Sequence, residues 1–106
     1  MSDSSFIPVG IDALNVYPGR AVLDVNRLAQ ARGLDTQRFQ NLLLHQKTVA
    51  LPGEDPVSFA VNAAQPLLNR LTPTERERIE LLIVATESGL DFGKAMSTYV
   101  HHYLQL

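Results

Sequence analysis

The sequence contains no cysteine and no tryptophan among its 106 residues. Without cysteine, these residues have no disulfide bond, no thiolate metal site and no cysteine nucleophile. No apolar run approaches the roughly 20 residues that cross a bilayer. The opening residues MSDSSF also lack the basic and apolar regions of a secretory signal. We therefore expect a soluble, cytoplasmic chain with no membrane partner and no bound metal.

Basic residues are scarce as well: 9 Lys and Arg stand against 11 Asp and Glu, which gives a net charge of −2. No basic run is present that could neutralise a series of phosphates, so we expect no nucleic-acid partner. Apolar and aromatic residues make up 45% of the chain, which is enough for one small folded core. No internal repeat, linker or low-complexity segment divides the chain.

Two apolar segments are typical of strands. Residues 9–17 (VGIDALNVY) contain β-branched residues and are bounded by Pro8 and by Pro18 with Gly19. Residues 79–86 (IELLIVAT) form a nearly unbroken apolar run, as in a strand that is covered on both faces of a parallel sheet. We predict two strands here, which could lie as parallel neighbours in a sheet with unpaired edges.

Two short helices are predicted between these strands. Asp24 is placed to cap the first helix and Gly33 to end it. Asp35 is placed to cap the second helix. Its predicted apolar face consists of Phe39, Leu42 and Leu43. Residues 45–53 show no clear period and are predicted to form a loop.

Three further helices complete the pattern. Asp55 opens a long amphipathic helix, in which Pro66 predicts a kink. Thr72 and Glu75, with a proline between them at the first helical position, form a capping box that predicts a short helix. The last helix is indicated by Phe92, Ala95, Met96, Tyr99, Val100, Tyr103 and Leu104. The order strand, helices, strand, helix predicts an α/β fold with an incomplete sheet.

Glu87 is the clearest candidate for chemistry. It follows directly after the second predicted strand, where open α/β sheets place active-site residues. A carboxylate that is held against apolar walls suits general acid/base catalysis near neutral pH. The alternative is a solvated residue in a strand-to-helix turn.

Several segments of the chain resemble one known enzyme family. TESGLDFGKAMSTYVHHYLQL after an apolar strand, with GIDALNVY near the start, resembles the 3-hydroxy-3-methylglutaryl-CoA synthase family of the thiolase fold. LAQARGLDTQRF and EDPVSFAVNAA resemble further family segments in the same order. Where the family has a GLGQ turn, this chain reads QNLLLHQKTVALPGEDP, which is similar to the branch that works in polyketide β-branching. The resemblance implies that residues 1–106 are the N-terminal fragment of a thiolase-fold domain.

The resemblance also implies a reaction, the condensation of an acetyl group with a β-keto thioester. In the family a cysteine takes up the acetyl group, a glutamate removes a proton from its methyl group and a histidine polarises the acceptor ketone. By its place in the TES motif, the glutamate is Glu87. The family's histidine comes from much later in the chain, so His101 and His102 are expected to be solvated. We expect the cysteine beyond Leu106 and an isolated chain that is inactive.

The start of the second short helix matches another family position. The family has an Asp with a basic residue three positions later at the phosphates of the thioester carrier, which matches Asp35 and Arg38. Thr36 lies in the same turn. Free N–H groups at a helix start and a guanidinium suit a phosphate. The alternative is that Asp35 is only a cap and Arg38 a solvated side chain.

The partners and cofactors implied by the resemblance are those of an acyltransferase. Acyl groups arrive as thioesters of coenzyme A or of the phosphopantetheine of an acyl carrier protein, and no other cofactor is expected. Residues 20–47 carry five basic and two acidic residues, and this net +3 could attract an acidic carrier protein. The remainder of the synthase and a second copy in a homodimer are further expected partners. The alternative function is a non-catalytic binding or dimerisation module derived from this fold.

Overall fold

The computed structural model describes residues 5–106, and over this range it contains one two-stranded sheet and five helices. The elements are β1 (Ala21–Asp24), α1 (Val25–Ala31), α2 (Thr36–Asn41), β2 (Gln46–Val49), α3 (Pro56–Leu68), α4 (Pro73–Glu77) and α5 (Met96–Leu104). They pack as two groups. The hairpin unit comprises β1, α1, α2 and β2, and the helical unit is built on α3 against α5.

The hairpin unit is an antiparallel strand pair whose connection is filled by two helices. Ala21 lies opposite Val49, and Asp24 lies opposite Gln46. The side chain of Asp24 caps α1, because its Oδ1 accepts the backbone N–H of Arg27 at 3.0 Å. Strand β1 therefore passes directly into α1, with the strand's last residue serving as the helix cap.

The helical unit holds the larger core. Its buried residues are Val57, Leu68, Met96, Val100 and Leu104. The partly buried Ala60, Val61, Ala64 and Leu71 pack against this cluster. The predicted apolar stripe of the long helix is thus confirmed, and its partner is α5. Arg76 of α4 donates hydrogen bonds to the carbonyls of Leu104 and Gln105, so α4 closes the C-terminal end of α5.

The two units meet around Gly19. The hydroxyl of Tyr17 donates to Oε1 of Glu54 at 3.2 Å, and its ring packs edge-on against Phe59 with 5.4 Å between centroids. The hydroxyl of Thr48 donates to the carbonyl that precedes Gly19 at 2.8 Å. Gly19 has a φ of +80°, and a Cβ there would lie 2.5 Å from Cγ2 of Thr48. Only glycine fits at this position, where the backbone passes close to the side chains of Thr48 and Phe59.

The two predicted strands, residues 9–17 and 79–86, are wrong in position. Neither segment has regular secondary structure, and the observed strands are β1 and β2, which run antiparallel. The segment 45–53, predicted as a loop, contains β2. An apolar run predicts burial, but a strand also needs a backbone partner, which composition does not reveal. The four residues of β2 (QKTV) are all exposed. A strand with no buried face needs no alternation of apolar and polar residues, so its sequence gives no strand signal.

The predicted helices are confirmed, although two of them begin or end at residues other than those predicted. The predicted caps Asp24, Asp35, Asp55 and Thr72 each accept a hydrogen bond from a backbone N–H at a helix start. The last helix begins at Met96, and Phe92, predicted on its apolar face, is fully exposed. Leu42 and Leu43 lie beyond the last residue of α2 and are exposed, so their predicted place on its apolar face is wrong. Pro66 lies inside α3, and the kink stays a prediction.

Both irregular segments carry exposed apolar side chains. In residues 79–86, Leu82 and Val84 pack on the core, whereas Leu81 and Ile83 are 74% and 77% exposed. The earlier segment exposes Val9, Ile11, Leu14 and Val16. We call these exposed side chains the open apolar rows. Exposed apolar side chains concentrated on one segment are typical of a site of interaction. Within residues 5–106, no helix combines the length and the apolar character that crossing a membrane requires.

Candidate functional site

Glu87 lies in an exposed bend between residues 79–86 and α5. The bend is shaped by the backbone N–H of Ser88, which donates to Oγ1 of Thr86 at 3.0 Å. Thr86 and Ser88 line one side of an open cleft of about 420 Å³, and β2 with the start of α3 lines the other. Apolar walls were expected around Glu87, but in the described residues its side chain is not enclosed. Its side chain is exposed, next to a cleft that a substrate could enter.

The bend that carries Glu87 is tied to α5 through Asp91. Oδ1 of Asp91 accepts the backbone N–H of Gly93 at 2.7 Å, and its Oδ2 accepts the hydroxyl of Tyr99 at 2.8 Å. The ammonium of Lys94 lies 5.2 Å from the centroid of the Tyr99 ring, within the range of a cation–π contact. We call Asp91, Lys94 and Tyr99 the turn clamp. Sequence reasoning missed it, although an Asp two residues before a Gly is a signal for such a turn.

The hydrogen bonds of the turn clamp shift the pKa of both partners. The backbone N–H of Gly93, followed by the hydroxyl of Tyr99, lowers the pKa of the Asp91 carboxyl below its usual value. The same bond to Asp91, followed by desolvation, raises the pKa of the Tyr99 hydroxyl. Ionised Asp91 and neutral Tyr99 are both favoured, so the clamp keeps one protonation state around neutral pH.

The start of α2 is occupied by its own cap. Oδ1 of Asp35 accepts the backbone N–H of Gln37 at 2.9 Å. Thr36 is partly buried, and Arg38 is exposed. The carboxylate of Asp35 thus takes an N–H group that was expected for a phosphate and brings negative charge to the same place. Asp35 acts as a cap, and the phosphate contact expected of Arg38 stays a prediction.

The four predicted site residues do not line one pocket. Glu87 lies beyond the cleft wall formed by its two neighbours, while Asp35, Thr36 and Arg38 belong to the hairpin unit and do not line that cleft. Across residues 5–106, no group of three His, Asp or Glu side chains is arranged to hold a metal ion.

Positive charge is concentrated on the hairpin unit and its immediate flank. The exposed basic residues are Arg20, Arg27, Arg32, Arg38 and Lys47. The acidic residues of the same stretch, Asp24 and Asp35, each use a carboxylate oxygen as a helix cap. The remainder of the chain has more acidic than basic residues. The stretch 20–47 therefore carries a net positive charge, and the remainder of the chain carries a net negative charge.

Comparison of the sequence with known proteins finds related enzymes. The chain is 58% identical over 100 residues to the polyketide biosynthesis 3-hydroxy-3-methylglutaryl-ACP synthase PksG of Bacillus subtilis (strain 168), a match that covers 94% of this chain and 24% of that protein. It is 41% identical over 96 residues to the hydroxymethylglutaryl-CoA synthase of Haloferax volcanii, which covers 87% of this chain and 21% of that protein. No family model matches the sequence.

Solved structures agree with the sequence comparison. PksG, an HMG-CoA synthase from Bacillus subtilis, superposes with a TM-score of 0.83 at 60% identity, over 92% of this chain and 24% of that one. The HMG synthase of the curacin biosynthetic pathway, in complex with apo donor-ACP, superposes with a TM-score of 0.81 at 57% identity over the same shares.

These similarities define the fold first and then the family. The fold is the N-terminal portion of a thiolase-like α/β fold, which confirms the predicted fold class. The chain is a homologue of the N-terminal part of the 3-hydroxy-3-methylglutaryl synthases, which confirms the resemblance, including its likeness to the polyketide branch. It spans about a quarter of the length of the relatives it matches.

Proposed function

We propose that this chain supplies the N-terminal part of a hydroxymethylglutaryl synthase-like acyltransferase, which condenses an acetyl group with a β-keto thioester in polyketide β-branching. The observation that carries this proposal is the 58% identity to the ACP synthase PksG over nearly the whole chain. The complexes of the curacin HMG synthase with donor-ACP support an acyl carrier protein, rather than free coenzyme A, as the carrier of the acyl groups.

In this scheme the reaction is divided between this chain and further polypeptide. The 106 residues contain no cysteine, so the thiol that accepts the acetyl group comes from elsewhere. Glu87 then removes a proton from the acetyl methyl group, the resulting carbon nucleophile attacks the ketone carbon of the acceptor, and water releases the product from the thiol. The open cleft next to this bend supports the role, because Thr86 and Ser88, the chain neighbours of Glu87, both line it.

The shape of the molecule supports further polypeptide as a partner. Its radius of gyration is 19.3 Å, whereas a compact domain of this length has one of about 13 Å. The open apolar rows lie on segments without strand partners, and added strands would pair with their backbone and cover their side chains. A self-sufficient binding module, the alternative function, fits this open shape less well. A homodimer, a cytoplasmic location and the absence of any cofactor other than the acyl carriers stay predictions.

A chimaera tests the proposal directly. The aligned first part of PksG would be replaced by this chain, and the rest of PksG would be kept. We expect the chimaera to accept an acetyl group from an acetyl donor carrier protein and to condense it with a β-keto acceptor. The parent enzyme and PksG without its first part serve as controls. A folded chimaera that performs neither step contradicts the proposal.

A further inference from the structure

Tyr17 lies behind one wall of the cleft beside the bend of Glu87. That wall is built from the end of β2 and the start of α3 and includes Glu54 and Phe59, while the chain neighbours of Glu87 line the opposite side. Tyr17 is outside the cleft lining but contacts two residues of the wall. Its hydroxyl donates to Oε1 of Glu54 at 3.2 Å, and its ring packs edge-on against Phe59. The position of the wall therefore depends on a residue behind it.

The carboxylate of Glu54 is held from two sides. Its Oε2 accepts the backbone N–H of Leu51 at 2.8 Å, and the carbonyl of Leu51 accepts the N–H of Glu54 at 2.9 Å. With the bond from Tyr17, each carboxylate oxygen has a donor within the chain. This favours a holding role over proton transfer, because a general base needs an oxygen available to the substrate's proton. Glu54 thus joins the turn before α3 to the first segment of the chain.

Phe59 is the second point at which the wall is held. It lies on the first turn of α3, and an edge-on aromatic pair stabilises the position of both rings beyond the area that it buries. Two residues after Tyr17, a Cβ at position 19 would lie 3.0 Å from Cε1 of Phe59, so the backbone there also passes close to this ring. Residues 17–19 therefore run along the back of the wall, and their contacts are internal to the chain.

We propose that Tyr17 is a positioning residue for the condensation, which holds Glu54 and Phe59 so that the cleft wall keeps its place opposite the bend of Glu87. The inference rests on the proposed function, because that function places the reaction at this cleft. Displacing reacting groups by about 1 Å can slow an enzyme by about 10²-fold. A wall that is held from behind therefore affects turnover more than it affects the binding of carrier-bound substrates.

Tyr17→Phe, made in the chimaera, removes the hydroxyl and keeps the ring against Phe59. We expect the kcat of condensation to fall about 3- to 10-fold, the range for loss of one hydrogen bond, and the KM for the carrier-bound acceptor to stay within about twofold. Circular dichroism and the unfolding temperature show that the variant is folded. Tyr103→Phe is the matched control, since Tyr103 is 62% exposed and does not line this cleft. Both of its constants should stay within about twofold of the parent.

A double-mutant cycle with Glu54→Gln shows whether Tyr17 acts through Glu54. Glutamine has one amide oxygen in place of two carboxylate oxygens, so it cannot keep both bonds as they are. The double variant should slow condensation by less than the product of the two single effects. Effects that multiply, a normal kcat for Tyr17→Phe, or an equal loss in Tyr103→Phe overturns the positioning role. A raised KM with an unchanged kcat also overturns it, because Tyr17 would then serve substrate binding.

The ionisation of Tyr17 tests the contact without any assay of activity. Desolvation raises the pKa of the Tyr17 hydroxyl, the hydrogen bond and the charge of Glu54 raise it further, and the charge of Arg20 lowers it. In the Glu54→Gln variant of the 106-residue chain, the hydroxyl should therefore ionise at lower pH. The resonance of ¹³C-labelled Tyr17, assigned by its loss in Tyr17→Phe, reports the titration. An unchanged midpoint would show that the two side chains do not interact, which overturns the inference.

The two experiments together distinguish this inference from the proposed function. If the unsubstituted chimaera performs neither acetyl transfer nor condensation, the proposed function fails and the positioning role fails with it. If the chimaera is active and Tyr17→Phe condenses normally, the proposed function stands and the positioning role alone is rejected. A slower condensation in Tyr17→Phe at an unchanged KM, together with the lower ionisation pH in Glu54→Gln, supports the positioning role.

Discussion

The hydroxyl of Tyr99, on the first turn of α5, donates a hydrogen bond to Oδ2 of Asp91 at 2.8 Å. The other oxygen of Asp91 holds the backbone of Gly93, so one carboxylate connects the helix with the turn. Glu87 lies only four residues before Asp91 along the chain. We therefore expect the turn clamp to limit the movement of the bend in which the proposed general base lies.

Tyr99→Phe should loosen this bend without removing the aromatic ring. The variant loses the hydroxyl that Asp91 accepts but keeps the ring beneath Lys94. We expect amide hydrogen exchange over residues 88–94 to become faster by about 2- to 10-fold, the range for one hydrogen bond. Tyr103→Phe, the same change one turn further along the same helix at a more exposed tyrosine, should have no effect there. Equal exchange in both variants would mean that the clamp does not hold the turn.

The turn held by Asp91 and Tyr99 should become less ordered both at acidic pH and at alkaline pH. The folded pKa of Asp91 is lowered, so its contribution is present above the unfolded pKa and is lost as pH falls through the folded value. The folded pKa of Tyr99 is raised, so its contribution is present below the unfolded pKa and is lost as pH rises through the folded value. The amide resonance of Gly93 should report both transitions. Asp91→Asn should abolish the acid transition, and an unchanged acid transition in that variant would assign it to another group.

Glu87→Gln, made in the chimaera, should separate acetyl transfer from condensation. Glutamine keeps the size of the side chain but cannot take the methyl proton. Acetylation should persist, while condensation should slow by about 10² to 10⁴-fold, the usual contribution of general acid/base catalysis. Mass spectrometry of the acetylated protein follows both steps, with Glu80→Gln as the control. Normal condensation would return Glu87 to a solvated turn residue, and loss of both steps would indicate a structural role.

Arg38→Ala in the chimaera should raise the apparent KM for carrier-bound substrates more than it lowers kcat. The guanidinium is exposed on α2 and is proposed to hold the carrier's phosphate before and during the reaction. Arg32→Ala removes an equal charge from the exposed end of α1 and should change KM less. Circular dichroism checks that α2 is intact. Unchanged kinetics with the donor and the acceptor would remove Arg38 from the binding site.

The 106-residue chain alone should take up no acetyl group. It has no thiol, so a radiolabelled acetyl donor carrier protein should leave it unlabelled after gel separation. PksG, treated in parallel, is the positive control. Stable labelling of this chain would show that another side chain can serve as the acceptor.

The helix starts were predictable because their determinants are local. Each cap, such as Asp55 or Thr72, lies within three residues of the N–H group that it accepts. The strands were not predictable in the same way, because β1 pairs with a segment that follows two intervening helices. The all-exposed residues of β2 give no periodic signal. The apolar runs of residues 9–17 and 79–86 correctly indicate apolar surface, but not whether a neighbouring strand is present.

The candidate site shows the same division between local and distant determinants. Asp35 was recognised as a cap from its place before a helix, and the structure confirms that role. Glu87 was proposed from its motif, and its catalytic role stays a prediction. The bond between Asp91 and Tyr99 joins side chains eight residues apart across an irregular turn, and no period predicts that contact. The left-handed backbone of Leu43 could not be predicted, because leucine gives the opposite expectation from glycine.

The close approach of Gly19 to Thr48 and Phe59 restricts which residues related sequences can carry at these positions. Any other side chain at position 19 meets both an unfavourable backbone angle and the methyl group of Thr48. A smaller residue at position 48 relieves only the second obstacle, so no single compensating change opens the position. Over evolutionary time, or in a saturation library selected for folding, residue 19 should therefore stay invariant. Substitutions at residues 48 and 59 should be accepted only where the new side chain leaves the space next to Gly19 empty.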